Sequence, residues 1–169
     1  MGLEYQLLPI NQSEVTSSNG TWKKVPDHGY ALIDDINCPV LVIETGLSER
    51  DQKLAIDTQD WLEVHGSRTQ VVITININRS TPHLTIRRWE HYYSPSRPAT
   101  RLFQPSRSTM ETVDVVHENG ITRATGKLII PFEKVFRREK HGHGETDIVV
   151  ERHELIKVAE LVWKAQGFI

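Results

Sequence analysis

The sequence predicts a single α/β domain, and three stretches of the chain carry that expectation. Residues 28–34 and 39–45 read as two strands joined by an Asp-Asp-Ile-Asn turn at 34–37. Residues 49–65 follow with helical periodicity, Leu54, Ala55, Trp61 and Leu62 recurring on one stripe opposite acids and Gln. Residues 70–78 then alternate Val71, Ile73, Ile75 and Ile77 with Val72, Thr74, Asn76 and Asn78, which predicts a strand with one clearly buried face.

The remaining elements are weaker. Residues 11–24 are polar and read as a loop. Ser48 suits the N-cap of the first helix, and Gly66 its end. A strand over 83–90 pairs antiparallel with 70–78 across the Asn-Arg-Ser-Thr-Pro turn at 78–82. A Ser/Pro/Arg-rich surface loop follows at 94–108. Strands at 112–117 and 121–130 flank an Asn-Gly hairpin signal at 119–120. Residues 132–136 make a short turn, the charged, Gly-rich segment 137–145 reads as mobile, and the chain closes on an amphipathic helix with Leu155, Val158, Ala159 and Val162 on one side. Neither an internal repeat nor a domain linker is visible.

Composition narrows the function classes. At 169 residues, 38% hydrophobic and 25% charged, the chain suits one folded domain with its own core rather than a disordered segment. A net charge of −2 gives no global pull toward nucleic acid, so phosphate binding has to come from local patches. The single cysteine, Cys38, excludes an internal disulfide and suits packing in a reducing compartment. No run approaches the roughly 18 apolar residues of a membrane span, and the first residues lack a secretory signal. An intracellular protein, in cytoplasm or nucleus and without a membrane partner, is expected.

Glu44 is the most informative residue, because it interrupts the aliphatic run of residues 40–48, where a carboxylate is costly unless paired or bound to a cation. A turn centred near 35–36 pairs residues whose numbers sum to about 71, which sets Asp27 opposite Glu44. Asp34 and Asp35 fall at the turn, more than about 20 Å away at about 3.3 Å per residue. Two facing carboxylates raise each other's pKa unless a cation neutralises them, and a hard oxygen site with few ligands suits Mg²⁺ or Mn²⁺. The plainer alternative is that Asp27 caps a turn and Glu44 emerges into solvent.

These features together resemble the PD-(D/E)XK restriction-endonuclease-like superfamily, and more closely a group of uncharacterised fungal proteins with that core. The resemblance rests on Pro26-Asp27, the strand ending in Glu44, then Gly46 and Ser48, then Asp57, Trp61 and Leu62 on the helix, and the strand 70–78. Trp89-Glu90 and the stretches 130–136 and 144–150 extend it over most of residues 22–165. It implies a mixed sheet flanked by helices, its core over about 22–90 with further strands and the C-terminal helix over 91–169. It also implies a metal-dependent nuclease acting on DNA or RNA, with Asp27 and Glu44 holding the ion. The family's lysine, two residues after the Glu, is Gly46 here. Some relatives carry that lysine on the following helix, where Lys53 is the candidate, with Gln52 as a weaker accessory. Lys53 also stands one turn before Asp57 and could simply pair with it. A catalytically degenerate module that binds nucleic acid or a protein partner is the alternative.

Two further clusters stand out. His141, His143 and Glu145 lie among glycines, which fits a solvated loop better than a metal site. Arg97, Arg101 and Arg107, with Arg88 or Arg87 from the preceding strand, form the most basic candidate for phosphate contact, although a Ser/Pro/Arg loop is more often a soluble excursion. Arg87 and Arg88 point to opposite faces of a strand, so only one can join them.

Overall fold

The computed structural model describes residues 6–11, 13–17, 20, 22–47, 51–63, 67–92, 106–142 and 144–169. Its centre is a seven-stranded mixed sheet. The strands in chain order are β1 (Leu7–Ile10), the short β2 (Val15–Thr16) and β3 (Lys23–Lys24), β4 (His28–Leu32), β5 (Pro39–Leu47), β6 (Val71–Ile77), β7 (His83–Tyr92), β8 (Ser106–Glu118), β9 (Ile121–Ala124), β10 (Leu128–Ile130) and β11 (Ile148–Val150). Helix α1 (Asp51–Glu63) lies between β5 and β6, α2 (Phe132–Phe136) after β10, and α3 (Arg152–Gln166) at the end. The sheet order is β1-β4-β5-β6-β7-β8-β9, while β2–β3 and β10–β11 form separate ribbons. Among the described residues of this sheet, only the β5–β6 contact is parallel. A parallel pair needs a crossover, and α1 supplies it. No helix among the described residues is long and apolar enough to cross a membrane.

Side-chain alternation sorts the sheet into two faces. Val71, Ile73 and Ile77 of β6, Leu84 and Ile86 of β7, and Val113 and Val115 of β8 join the main core with Phe132, Val135, Leu155, Ala159 and Trp163 of the two later helices. On the other face Val42 and Val72 pack with Trp61 and Leu62 of α1 and with Val15. The first half of β6, Val71 to Thr74, is therefore buried on both sides, not on one as its alternation suggests. The reason is α1, which closes over Val72, together with Trp89, whose indole N–H donates to Thr74 Oγ1 at 2.8 Å.

Several boundaries move relative to the sequence expectation. Strand β8 is already paired with β7 from Ser106. Asn119 and Gly120 both take positive φ, +51° and +76°, the turn an Asn-Gly hairpin requires. The expected strand over 121–130 is two strands. Glu111 accepts a hydrogen bond from the Ile129 N–H at 2.9 Å and Arg88 donates to the Ile129 carbonyl, so β10 leaves the sheet edge and is anchored by side chains. On α3 it is Trp163, fully buried, that joins Leu155 and Ala159 in the core, whereas Val158 is exposed. Ser48 and Gly66 lie outside the described residues.

The segment expected to be mobile is tied down. Arg138 holds Glu145 through two bonds of 2.7 and 2.6 Å, and Lys140 pairs with Asp147 at 2.8 Å. The Arg138 guanidinium, helped by the His141 N–H, lowers the Glu145 pKa to about 2. A depressed carboxylate stabilises its folded setting above the ordinary value of 4.5, and that contribution is lost as pH falls toward 2. Amide exchange across residues 139–147 is expected to accelerate over that window, and at neutral pH in Glu145→Gln, with α3 unaffected. Protection unchanged in the variant would mean that the pair does not hold the segment.

Candidate active site

The hairpin between β4 and β5 sets the two acids. His28 pairs with Ile43, Gly29 with Val42 and Tyr30 with Leu41, each pair summing to 71, and the one irregularity falls at Tyr30/Ala31, toward the turn. Continued outward, this register brings Asp27 opposite Glu44. The Thr45 N–H donates to Asp27 Oδ2 at 2.8 Å, which fixes the Asp27 carboxylate at the strand end. Asp34 and Asp35 sit in the short 3₁₀ turn at the far end of the hairpin.

Glu44 is buried, 6% exposed, on the face that α1 covers. Its Oε1 accepts from the Trp61 indole N–H at 2.5 Å. Burial pushes its pKa above the ordinary value, the Trp61 bond opposes that, and the Asp27 charge adds to the rise. Trp61 is itself fully buried, with Trp22 edge-on at 5.0 Å and the Lys24 ammonium 5.6 Å from its ring centroid. Lys24 also pairs with Asp57 at 2.5 Å and with Asp60 at 3.4 Å. The i,i+4 pairing of Lys53 with Asp57 considered from the sequence is not the arrangement found: Asp57 faces Lys24 of the β2–β3 ribbon. Lys53 is exposed and borders a cleft of about 280 Å³ together with Asp27, Glu44, Gly46, Asp57 and Arg79.

The position two residues after Glu44 has a steric reason to be glycine. A Cβ on Gly46 meets Leu54 of α1 at 3.0 and 3.1 Å, and Leu54 is buried. A side chain there makes Leu54 give way by a few tenths of an ångström. Gly46→Ala is expected to destabilise the fold by about 1–3 kcal/mol through overpacking. Combining it with Leu54→Ala should lose less than the sum of the two single changes in urea unfolding. Strict additivity would show that the two residues do not press on each other.

The basic candidates divide differently. Arg97 and Arg101 lie outside the described residues, as does the Arg107 side chain. Arg88 faces the α2 side: its Nε lies 3.0 Å from Glu90 Oε1, misaligned for a hydrogen bond, and its side chain is only 12% exposed. With Glu111 and the Ile129 carbonyl beside it, Arg88 is an internal cation and does not present itself to a phosphate backbone. Arg87 points the other way and lines an open polar cavity.

Of the histidine cluster, Glu145 belongs to Arg138, and His143 lies outside the described residues. The Gln52 side chain is likewise not described. Among the described residues no group of three or more His, Cys, Asp or Glu side chains could hold a metal ion. Arg79 is an unexpected member of the cleft, and Lys24 an unexpected partner of its Asp57. Arg79 reads in sequence as part of a turn, and Lys24 as part of a polar loop, so neither carried a local signal. Comparison of the chain with models of protein families, with curated proteins and with solved structures finds no match in any of the three.

Proposed function

We propose that this chain is a divalent-metal-dependent hydrolase of phosphodiester bonds in nucleic acid, working through Asp27, Glu44 and Lys53. The observation that supports it is the opposed carboxylate pair, one member buried, opening onto a cleft that Lys53 and Arg79 border. The donor set fits Mg²⁺ or Mn²⁺, which take one or two carboxylates and keep waters and substrate oxygens for the remaining positions. Glu44 Oε1 is engaged by Trp61 and Asp27 Oδ2 by Thr45, which leaves the second oxygen of each for a cation. An ion bound there would polarise a phosphate oxygen and lower the pKa of the attacking water.

The chain's own residues supply the rest. Asp27 and Glu44 hold the ion, Trp61 fixes the Glu44 carboxylate, and Lys53 offsets negative charge that develops on the phosphate. The helix lysine takes the part of the strand lysine that Gly46 cannot carry. A non-catalytic module binding nucleic acid or a protein partner is favoured by one observation: Trp61 and Lys24 already satisfy Glu44 and Asp57 without any metal.

The test is cleavage of single- and double-stranded DNA and RNA in Mn²⁺, wild type against Glu44→Gln and Lys53→Ala. Hydrolysis lost in the first and slowed in the second supports the nuclease. Absent hydrolysis in wild type, with no manganese binding, leaves only the binding module.

A further inference from the structure

The α1 face of the sheet does not end at the carboxylate cleft. Beyond α1, polar side chains of β6, β7 and β8 on that face line a cavity of about 550 Å³. Its walls include Asn76, Asn78, His83, Thr85, Arg87 and Asp114. The register ties this cavity to the cleft: Glu44 stands beside Thr74 and Thr74 beside Arg87, while Gly46, Asn76, Thr85 and Asp114 form the adjacent row. At the usual strand spacing Glu44 and Arg87 are about 10 Å apart across the sheet. Arg79, which borders the cleft, sits in the chain next to Asn78 of the cavity.

We propose that this cavity is a nucleotide-recognition subsite, so that the substrate of the carboxylate site is single-stranded nucleic acid. The inference rests on the hydrolase reading for what lies next door, but the cavity makes its own case. A polar sheet face is ordinarily just solvated. Here the face is concave, and its central ring is locked. Asp114 Oδ1 accepts from Thr85 Oγ1 at 2.7 Å and lies 2.9 Å from His83 Nε2. Burial acts to raise the Asp114 pKa, but the bonds from Thr85 and His83 and the nearby charges bring it below the ordinary value. The result is a fixed imidazole plane on which a base can stack, with the Arg87 guanidinium on the same strand face for a phosphate or a second base plane. Asn76, on the neighbouring strand, carries an amide with the donor and acceptor types that read a base edge, while Asn78 Oδ1 accepts from the Ser80 and Thr81 N–H groups and shapes the adjoining turn.

A cavity of about 550 Å³ has room for one unstacked nucleotide. A base presents its edge and its face together only when it leaves the stack.

The experiment is fluorescence anisotropy in EDTA with labelled mixed-sequence oligonucleotides of about twelve nucleotides, a length that spans a typical single-strand site. Ribose and deoxyribose single strands and the matching duplex are compared on wild type, Arg87→Gln, Asn76→Ala and Lys157→Ala. Single strands should bind more tightly than duplex, and each cavity variant that melts like wild type should bind about tenfold or more weakly. Lys157→Ala, an exposed position on α3 outside the cavity, should bind as well as wild type. Equal affinity for duplex, wild-type affinity in a folded cavity variant, or no binding at all overturns the proposal. Should both cavity variants fail to fold, amide shifts on adding a mononucleotide to wild type decide: shifts at Thr85 and Asp114 support the subsite, and shifts elsewhere or none refute it. Loss of manganese-dependent hydrolysis alone, with cavity binding intact, defeats the metal reading and leaves this one standing.

Discussion

Glu44→Gln is expected to abolish manganese-dependent hydrolysis while raising the melting temperature of the metal-free protein at neutral pH. The two effects have one cause. Burial holds the Glu44 pKa above its ordinary value, and the facing Asp27 adds to the rise. An acid whose folded-state pKa is raised binds its proton more tightly folded than unfolded. Its contribution therefore favours the fold below the unfolded value of 4.5 and is lost as pH climbs through the higher folded value. At neutral pH the charged side chain works against folding. Glutamine keeps an oxygen to accept the Trp61 N–H and removes the charge.

The same charge is what a divalent ion needs. Metal catalysis supplies several kcal/mol of transition-state stabilisation, so hydrolysis should fall by about 100-fold or more. Mn²⁺ should raise the melting temperature of wild type and leave Glu44→Gln unmoved, because only a ligand that binds the folded state stabilises it. Differential scanning fluorimetry with EDTA and with Mn²⁺ reads both arms. A variant less stable than wild type at neutral pH in EDTA would refute the assignment of Glu44 as a buried destabilising charge. Manganese stabilisation that survives the substitution would move the ion elsewhere.

Trp61→Ala is expected to give the largest loss of stability, about 3–5 kcal/mol, a substantial share of what a domain of this size has. Trp61 is fully buried between the sheet and Trp22, so its removal leaves a cavity at the centre of the smaller core. It also removes the donor to Glu44, which strands a buried carboxylate. Trp61→Phe separates the two contributions by keeping a ring without the N–H. The phenylalanine variant should retain most of the packing and push the Glu44 pKa further up, since the Trp61 bond, ahead of the Lys24 charge, opposes the rise. Urea unfolding at neutral pH measures the first effect, and the carboxyl carbon shift of Glu44 across a pH titration measures the second. A Glu44 titration unmoved in Trp61→Phe would show that the indole bond does not tune the carboxylate.

The local pairings were readable along the chain because they depend on neighbours in sequence. The 28–45 hairpin is closed by a short polar turn, so counting outward from that turn was enough to bring Asp27 to Glu44. The Asn-Gly turn at 119–120 and the strand at 71–77 follow the same logic of turn chemistry and alternation. The candidate site itself was only half legible. Trp61 was recognisable as core, but nothing in a one-dimensional pattern shows that its N–H reaches a carboxylate 17 residues back. Lys24, 33 residues from Asp57, was hidden in a polar loop.

Arg87 and Arg88 make the division plain. Strand periodicity dictates that adjacent arginines face opposite ways. Which of them faces the open cavity depends on where the later helices lie. Glu90, Glu111 and the Ile129 carbonyl draw Arg88 inward on the α2 side, and Arg87 is left over the face that α1 only partly covers. By itself, then, the sequence determined the strands between 28 and 90, the hairpin register and the opposition of two acids, while β1, the β2–β3 ribbon and β11 carried no such signal. The tertiary structure alone decided which face each strand turns to α1, how tightly Gly46 packs against Leu54, and what surrounds Glu44. Those outcomes depend on the packing of segments distant in sequence, and packing resolves only when the whole core closes.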